Sequence, residues 1–265
     1  MLLVGELSLW IALLMAAWGA TVSFAGGALG RRDLAASGRR ASYVALGALA
    51  LAVAGVVDGL VRRDFSLAYV ALHTSLALST PYAVTALWSG PAGTMLVWAL
   101  MIAAAAAALA PAGATRDARR GPWVSGVGAL FLLFVLLVVT LQANPYERLS
   151  WRASDGQGLD PRLQVPAMVL QRPLLLAGYA AACVPAMLVL GGMLARRVDA
   201  ATWTAARRWA VAAWAALGAA ILLAARGALD TGGGWGWPPD TAAPAAAWAC
   251  LALFLHGASR PAGRG

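Results

Sequence analysis

The chain has 265 residues, of which 61% are hydrophobic and only 12% are charged, and its mean hydropathy is +0.73. A soluble domain of this size carries about a quarter charged residues, so this composition excludes an ordinary soluble globular fold. The formal net charge of +9 rests on twenty Arg and no Lys. In a membrane protein such a charge orients the helices, so the sequence does not indicate a nucleic-acid partner.

Seven apolar stretches approach or reach the length of a transmembrane helix. Such a helix needs roughly 20 apolar residues, and the hydrocarbon core admits only helices or closed barrels. Residues 124–140 lack the alternation of barrel strands, which favours helices. We therefore predict an all-α polytopic transmembrane bundle that forms a single domain over residues 1–265. The predicted spans are residues 7–29, 42–61, 92–112, 123–143, 174–195, 209–225 and 243–258.

The distribution of arginine predicts the orientation of the bundle. Thirteen Arg fall on one side of these spans: Arg31, Arg32, Arg39, Arg40, Arg116, Arg119, Arg120, Arg196, Arg197, Arg207, Arg208, Arg260 and Arg264. Because short Arg-rich loops stay cytoplasmic, we expect the N-terminus outside and the C-terminus in the cytoplasm. Residues 1–6 lack the basic start of a signal peptide, so the first span is expected to remain in the mature protein.

Three segments are predicted on the outer side, at about residues 62–91, 144–173 and 226–242. Residues 65–87 are apolar enough to count as a further span, but a crossing there would move the loop with Arg119 and Arg120 outside. We therefore predict that they form an interfacial or re-entrant segment. The last span is only about sixteen residues long before Arg260, so we expect it to need a partner for stable insertion.

The third outer segment contains a loop rich in glycine and tryptophan, residues 232–240. The indoles of Trp235 and Trp237 can present flat faces to a planar apolar ligand such as a porphyrin, and glycine allows close approach. Porphyrin propionates would be drawn to Arg226 or Arg172. The alternative is an interfacial aromatic belt, in which tryptophan serves solvation alone.

The last predicted span contains an ionisable residue, His256. A histidine inside a membrane is costly and indicates function, and imidazole is a common axial haem ligand. Ala252 and Ala249 lie on the same helix face and leave room beside the imidazole. The alternative is a packing role, in which His256 bonds a neighbouring helix and the small residues allow close contact.

The remaining polar residues give weaker indications of function. His73 is interpreted as a satisfied polar residue, Asp58 is expected to pair with Arg62 one turn later, and Glu6 is expected at the outer interface. Cys183 and Cys250 form no CxxC pair, so no thiol chemistry or zinc site is predicted. The sequence shows no motif of hydrolases, and catalytic residues stay unknown.

Residues along most of the chain carry a resemblance in their order and distances. They are Asp64, Phe65, Ser66, Tyr69, Val70, Pro81, Tyr82, Trp88, Gly90, Gly93, Trp98, Asn144, Pro145, Tyr146, Glu147, Arg148, Leu159, Asp160, Pro161, Leu163, Pro173, Leu174, Leu175, Gly178, Tyr179, Trp235, Trp237, Trp248 and His256. In this pattern the chain resembles the N-terminal part of the CcmF-type cytochrome c maturation proteins, haem-handling membrane proteins with a tryptophan-rich external motif.

The resemblance implies a role in attaching haem to c-type cytochromes at the outer face of the bacterial cytoplasmic membrane. In the family, haem arrives on a membrane-tethered chaperone and is held against the tryptophan motif, here Trp235, Trp237 and the nearby Trp248. Its vinyl groups then couple to the thiols of an apocytochrome. The histidine matching His256 binds the iron of a second haem, haem b, within the membrane.

The chain departs from the family at the outer site. The family's Asp directly after the last motif Trp, and its Glu and Asn beyond, correspond here to Pro238, Thr241 and Ala242, and Asp240 is displaced by two positions. The external histidine of a His-Pro-Pro sequence corresponds to Gln171. These changes remove groups that would hold haem beside the motif.

A His-Glu pair of the family corresponds to Pro91 and Ala92. Family members are also much longer, so we expect a second polypeptide, or nothing, to supply the missing C-terminal half and the partner ligand of His256. Three readings follow. The first is a divergent haem lyase-like protein that works with a haem chaperone, an apocytochrome and other maturation subunits. The second is a non-catalytic scaffold subunit that binds no haem. The third is a small transporter.

Overall fold

The computed structural model describes residues 1–109, 117–151, 153–230 and 239–257, with the backbone alone for Met168, Pro239 and Asp240. These residues form α-helices and two short 3-10 helices, Ala86–Trp88 and Pro161–Leu163. The α-helices are α1 Leu2–Leu29, α2 Arg32–Arg62, α3 Ala68–His73, α4 Thr80–Thr85, α5 Pro91–Leu109, α6 Gly121–Leu141, α7 Pro166–Leu194, α8 Ala200–Asp230 and α9 Pro239–Gly257.

Six of these helices, namely α1, α2, α5, α6, α7 and α8, are long and apolar enough to cross a membrane. The apolar part of α9, Thr241–Gly257, is shorter than a full span, as expected for the last predicted crossing. The predicted helical polytopic bundle is therefore confirmed. Residues 110–112 and 258, the ends of two predicted spans, lie outside the described residues.

Several helices extend well past the predicted spans. The second predicted span begins at residue 42, and the helix that contains it, α2, begins ten residues earlier at Arg32. Gly30 takes a φ of 67° and ends α1 in the left-handed region, and the Arg31 amide reaches back to the Gly26 carbonyl (3.0 Å). This closure turns the chain in two residues, so α2 can start at once.

The helices pack mainly with their neighbours in the chain. α1 lies along α2, α6 packs against α1 and α5, α7 packs against α6 and α8, and α9 packs on α8. α1 and α2 approach closely where Gly5 faces Gly55, because a Cβ on Gly55 would lie only 3.0 Å from the Gly5 Cα. Small residues at such a crossing allow the backbones to meet, which is how membrane helices associate.

α7 begins at Pro166, eight residues before the predicted start at residue 174. Pro166 occupies the first helical position, where its missing amide hydrogen costs nothing. Pro173 and Pro185 lie inside the helix, which membrane helices tolerate when neighbours satisfy the freed carbonyls. Part of the predicted outer segment 144–173 is therefore the first two turns of α7.

On the arginine-rich end, α6 and α8 are tied by a buried cation. Arg120 contacts Asp199 at 2.8 Å and also donates to the Thr202 hydroxyl. Asp199 precedes α8 and accepts the Thr202 amide (2.8 Å), so it caps the helix. Hydrogen bonds from the Thr202 hydroxyl and amide, and then from Arg120, lower the pKa of Asp199 below its usual range.

The segments at the opposite end pair with each other through their backbones. Leu67 and Arg148 form an antiparallel bridge, flanked by bonds from Ala68 N to Glu147 O and from Leu149 N to Ser66 O, both 2.9 Å. Residues 65–87 fold into α3, α4 and a 3-10 turn, each too short to span a membrane. The two segments thus make one cap over this end of the bundle.

Arg63 joins this cap to α2. Its φ of 56° lies in the left-handed region, where a non-glycine residue is uncommon. Its guanidinium donates to the carbonyls that end α2, Leu60 (3.1 Å) and Val61 (2.7 Å), and to Ser75 (3.2 Å) and Leu78 (2.6 Å) of the cap. A single side chain therefore both closes a helix and holds the loop above it.

Candidate functional site

The last helix presents one face that no other described residue covers. α9 packs on α8 with the opposite side, which leaves Ala246, Ala249, Leu253 and His256 exposed. These positions recur every three or four residues, so they lie on one helix face. Leu253 is 72% exposed, and large apolar side chains on other spanning helices, such as Leu222 and Phe134, are exposed to a similar extent. A partner surface, or lipid, must cover this face in the membrane.

His256 stands on that uncovered face, one turn beyond Leu253. Its Nδ1 lies 2.9 Å from the Ala252 carbonyl oxygen, so in this geometry Nδ1 carries the hydrogen and donates it. A neutral imidazole with this tautomer has its lone pair on Nε2. A metal-ligating histidine usually donates its other ring N–H to a carbonyl or carboxylate in this way. The residue therefore fits an axial haem ligand, with small Ala249 and Ala252 beside it.

The Trp248 side chain is directed toward α8. Its indole stacks on Trp214 of α8, with ring centroids 5.0 Å apart, and packs with Leu175 and Leu217. Trp248 and His256 are eight residues apart, which separates them by about 80° around the helix. The structure therefore does not bring the Trp248 ring onto the face that carries His256.

Both indole nitrogens in this stack are buried without a hydrogen-bond partner among the described residues. Buried polar groups are normally satisfied, so two adjacent orphaned donors are unusual for a packed interface. Ser23 Oγ and Trp98 Nε1 are likewise buried without a partner elsewhere in the described bundle, so orphaned donors do not single out the α8–α9 pair.

The tryptophan loop lies outside the described residues, which include neither Trp235 nor Trp237. α8 ends at Asp230 and α9 begins at Pro239, so these helix ends fix where the loop starts and stops. Arg226 near the loop start is paired with Asp230 at 2.7 Å. Asp230 therefore partly balances the positive charge of Arg226, one of the two arginines predicted to attract porphyrin propionates.

Arg172 lies at the start of α7 and lines a narrow cleft with Trp88, Thr85, Ser89 and Leu163. It is half-buried, and it brings α7 together with the cap formed by the two outer segments. Among the residues predicted to attract propionates, Arg172 is thus the one placed beside an aromatic ring. The closeness of Trp88 to Arg172 was not predicted from the sequence.

Gln171, at the position of the family's external histidine, is 6% exposed. A carboxamide is a poor substitute for an imidazole as an iron ligand. No group of three or more metal-ligating side chains occurs within the described residues. Gln171 therefore offers no imidazole ligand at this end of the bundle.

The remaining polar residues take structural roles. Asp58 pairs with Arg62 at 2.7 Å as predicted, and Glu6 lies 3.8 Å from Arg148. His73 stacks on Tyr69, with centroids 4.3 Å apart, and its Nδ1 contacts the Tyr69 carbonyl (2.8 Å). Burial lowers the pKa of His73 and raises the pKa of Tyr69 to about 12.

Several relatives match the chain over most of its length. It is 34% identical to the probable cytochrome c-type biogenesis protein NrfE of Escherichia coli K12 over 76% of the chain. It is 33% identical to the cytochrome c-type biogenesis protein ccl1 of Rhodobacter capsulatus over 96%, and 30% identical to CcmF of Escherichia coli K12 over 94%. The chain spans 37%, 39% and 39% of these relatives, respectively.

A solved structure shares the fold. It is titled cytochrome c heme lyase CcmF, and it superposes with a TM-score of 0.85 over 97% of this chain and 41% of that structure, at 24% sequence identity. No family profile matches the chain. The agreement of sequence and fold over about two fifths of each relative identifies the chain as a divergent relative of the CcmF-type cytochrome c biogenesis proteins.

Proposed function

We propose that this protein handles haem for cytochrome c maturation in the bacterial cytoplasmic membrane. The observation that carries the proposal is His256, which stands on an uncovered face of α9 with Nδ1 held by the Ala252 carbonyl. The names of the relatives, cytochrome c-type biogenesis proteins, support the process. The first reading of the sequence, a divergent lyase-like protein, is retained.

In this proposal His256 provides one axial ligand to a haem b. The haem would supply a redox-active iron at that position. Ala252 fixes the tautomer, Ala249 leaves room for the macrocycle, and the apolar α9 surface excludes water. The described residues place no second histidine beside His256. The other axial ligand then comes from the part of the relatives that this chain does not match, on the same or another polypeptide.

At the opposite end, Trp235 and Trp237 would receive haem from a haem chaperone and present it to an apocytochrome. Arg172 and Arg226 are the cations available for its propionates. Because Gln171 replaces an iron ligand, we propose that this chain orients haem there without binding its iron. Covalent attachment would need ligands from another maturation subunit.

The uncovered face of α9 also favours a second function, that of a non-catalytic scaffold. Exposed Leu253, together with the altered positions Pro238, Thr241 and Ala242, fits a subunit that only docks the remainder of the assembly. The two functions differ in a single property, which is whether haem is bound. No observation in the described residues favours the transporter reading.

The deciding experiment is an absorption spectrum of protein purified in mild detergent after co-expression with the polypeptide that carries the rest of the family fold. We expect a b-type haem spectrum that His256→Ala abolishes. His73→Ala is the matched control, because His73 is the only other histidine in the chain. A colourless but folded wild-type complex would refute haem handling and leave the scaffold function.

A further inference from the structure

A groove lies on the arginine-rich end of the bundle, and its lining includes none of the residues proposed to hold haem. It has a volume of about 1080 Å³ and runs between the α1–α2 turn, the start of α6 and the end of α7. Its charged and aromatic lining consists of Arg31, Arg32, Arg39, Arg119, Arg196 and Trp123, with one carboxylate, Asp117. Three separate regions of the sequence converge there, so no single loop shows the concentration of positive charge in the groove.

The cations of this groove outnumber their acidic partners. Asp117 pairs with Arg197 at 3.3 Å, and Arg31 pairs with Asp33. Within the described part of the chain, Arg32, Arg39, Arg119 and Arg196 form no ion pair and no side-chain hydrogen bond. The sum is a concave surface with four uncompensated positive charges, which concentrates anions.

Arg196 occupies a position that normally suits glycine. Its φ is 53°, in the left-handed region just beyond the end of α7. A helix that ends this way usually has glycine or asparagine there, because other side chains are strained. The Arg196 side chain nevertheless lines the groove. Arg63 is the other non-glycine residue with positive φ in the described ranges, and its guanidinium donates to four carbonyls. The guanidinium of Arg196 is left for a ligand.

The groove opens onto an apolar surface. Leu29 and Leu194 lie at its edge with 67% and 50% of their surface exposed. Trp123 packs over Gly27, where a Cβ would come within 2.8 Å of the indole. Trp at a helix end marks the level of the lipid headgroups. The charged part therefore lies at headgroup level, with apolar side chains positioned along acyl chains.

We propose that this groove binds the phosphate of an anionic membrane phospholipid. Guanidinium groups suit phosphate because they form paired hydrogen bonds to its oxygens. Basic pockets between membrane helices on the cytoplasmic side bind anionic headgroups. The charge distribution predicts that side for this end of the bundle. The exposed leucines favour a lipid over a free phosphate, since a soluble anion gains nothing from them.

The rule that arginines orient membrane helices does not explain why arginines cluster in the groove, because other arginines at the same end of the bundle lie outside it. Arg207 and Arg208 are exposed on α8 and line no part of the groove. They contribute equally to the orientation of the helices. They therefore make a matched control, in which charge on this end changes by the same amount while the groove is intact.

The test is native mass spectrometry of the purified protein in detergent, titrated with phosphatidylglycerol, with phosphatidylcholine of the same chains, or with inorganic phosphate. The groove variant is Arg39→Gln with Arg196→Gln, and the control is Arg207→Gln with Arg208→Gln. We expect wild type and control to bind phosphatidylglycerol alike. The groove variant should bind about 25-fold more weakly, at roughly fivefold for each arginine.

Thermal unfolding in lipid-free detergent is compared for all three proteins, so that loss of binding is separated from loss of folding. Equal affinity of the groove variant and the control for phosphatidylglycerol would overturn the proposal. Equal affinity of the wild type for phosphatidylglycerol and phosphatidylcholine would do the same. Binding of inorganic phosphate as tightly as phosphatidylglycerol would overturn the assignment to a lipid. A haem spectrum is not needed for any of these outcomes.

Discussion

The crossing of α1 and α2 leads to a pair of glycine substitutions in one helix with opposite outcomes. A Cβ on Gly55 would lie 2.7 Å from the Tyr146 hydroxyl oxygen and 3.0 Å from the Gly5 Cα. A Cβ on Gly47, two turns earlier in α2, meets no atom within 4 Å. We therefore expect Gly55→Ala to destabilise the protein and Gly47→Ala to stabilise it.

The changes in unfolding free energy of the two variants have one contribution in common. Alanine is favoured over glycine inside a helix by about 1 kcal/mol, and both variants gain it. Gly55→Ala also overpacks a tight contact against backbone, which costs about 1–3 kcal/mol. The difference between the variants isolates this second term, so we expect Gly55→Ala to be less stable than Gly47→Ala by about 1–3 kcal/mol.

The assay is reversible unfolding of the detergent-solubilised protein by a denaturing detergent, followed by tryptophan fluorescence. Tyr146→Phe removes the hydroxyl that donates to the Ala52 carbonyl and should cost about 1 kcal/mol alone. In the Gly55→Ala background it should cost less, because the clash is relieved. Equal stabilities of Gly55→Ala and Gly47→Ala would refute the packing of Tyr146 between α1 and α2.

Three further outcomes are expected. Arg63→Gly keeps the left-handed backbone but loses the hydrogen bonds to the cap, so the free energy of unfolding should fall by about 2 kcal/mol. Limited proteolysis should then cut residues 64–90 faster, and unchanged cleavage would contradict this. Burial lowers the pKa of His73, so the unfolded chain takes up the proton first and stability should fall as pH drops below about 6.5. His73→Gln should flatten that loss in unfolding measured between about pH 7.5 and about pH 5. Gln171→His in a His256→Ala background should raise the affinity for added haem about tenfold, read from the absorption titration, whereas no change would show that the outer site cannot hold iron.

The bundle could be predicted from the sequence because hydrocarbon imposes a simple demand on length and polarity. Among the described residues, five of the seven predicted spans lie within a helix, and the spans 123–143 and 174–195 extend past the ends of α6 and α7, at Leu141 and Leu194. The helix ends could not be predicted, because beyond the hydrocarbon their extent depends on caps such as Gly30 and on local propensity. α2 and α8 both contain arginine-rich helical turns, and a hydropathy profile assigns such polar segments to loops.

The candidate site was only partly accessible from the sequence. Resemblance marked His256, Trp248 and Gln171, but not the surfaces on which they lie. The burial of Trp248 against Trp214, and the open face around His256, depend on how α8 meets α9. Likewise, the juxtaposition of Trp88 with Arg172 joins residues far apart in the chain. Long-range contacts of this kind leave no periodic pattern in one sequence.

The measurement that tests haem ligation by His256 most directly is chemical rescue in protein produced together with the rest of the family fold. His256→Gly removes the imidazole and leaves a space beside Ala249 and Ala252. We predict loss of the low-spin b-type spectrum, and its return when free imidazole is added. A His256→Gly complex that retains the wild-type haem spectrum without imidazole would contradict the assignment.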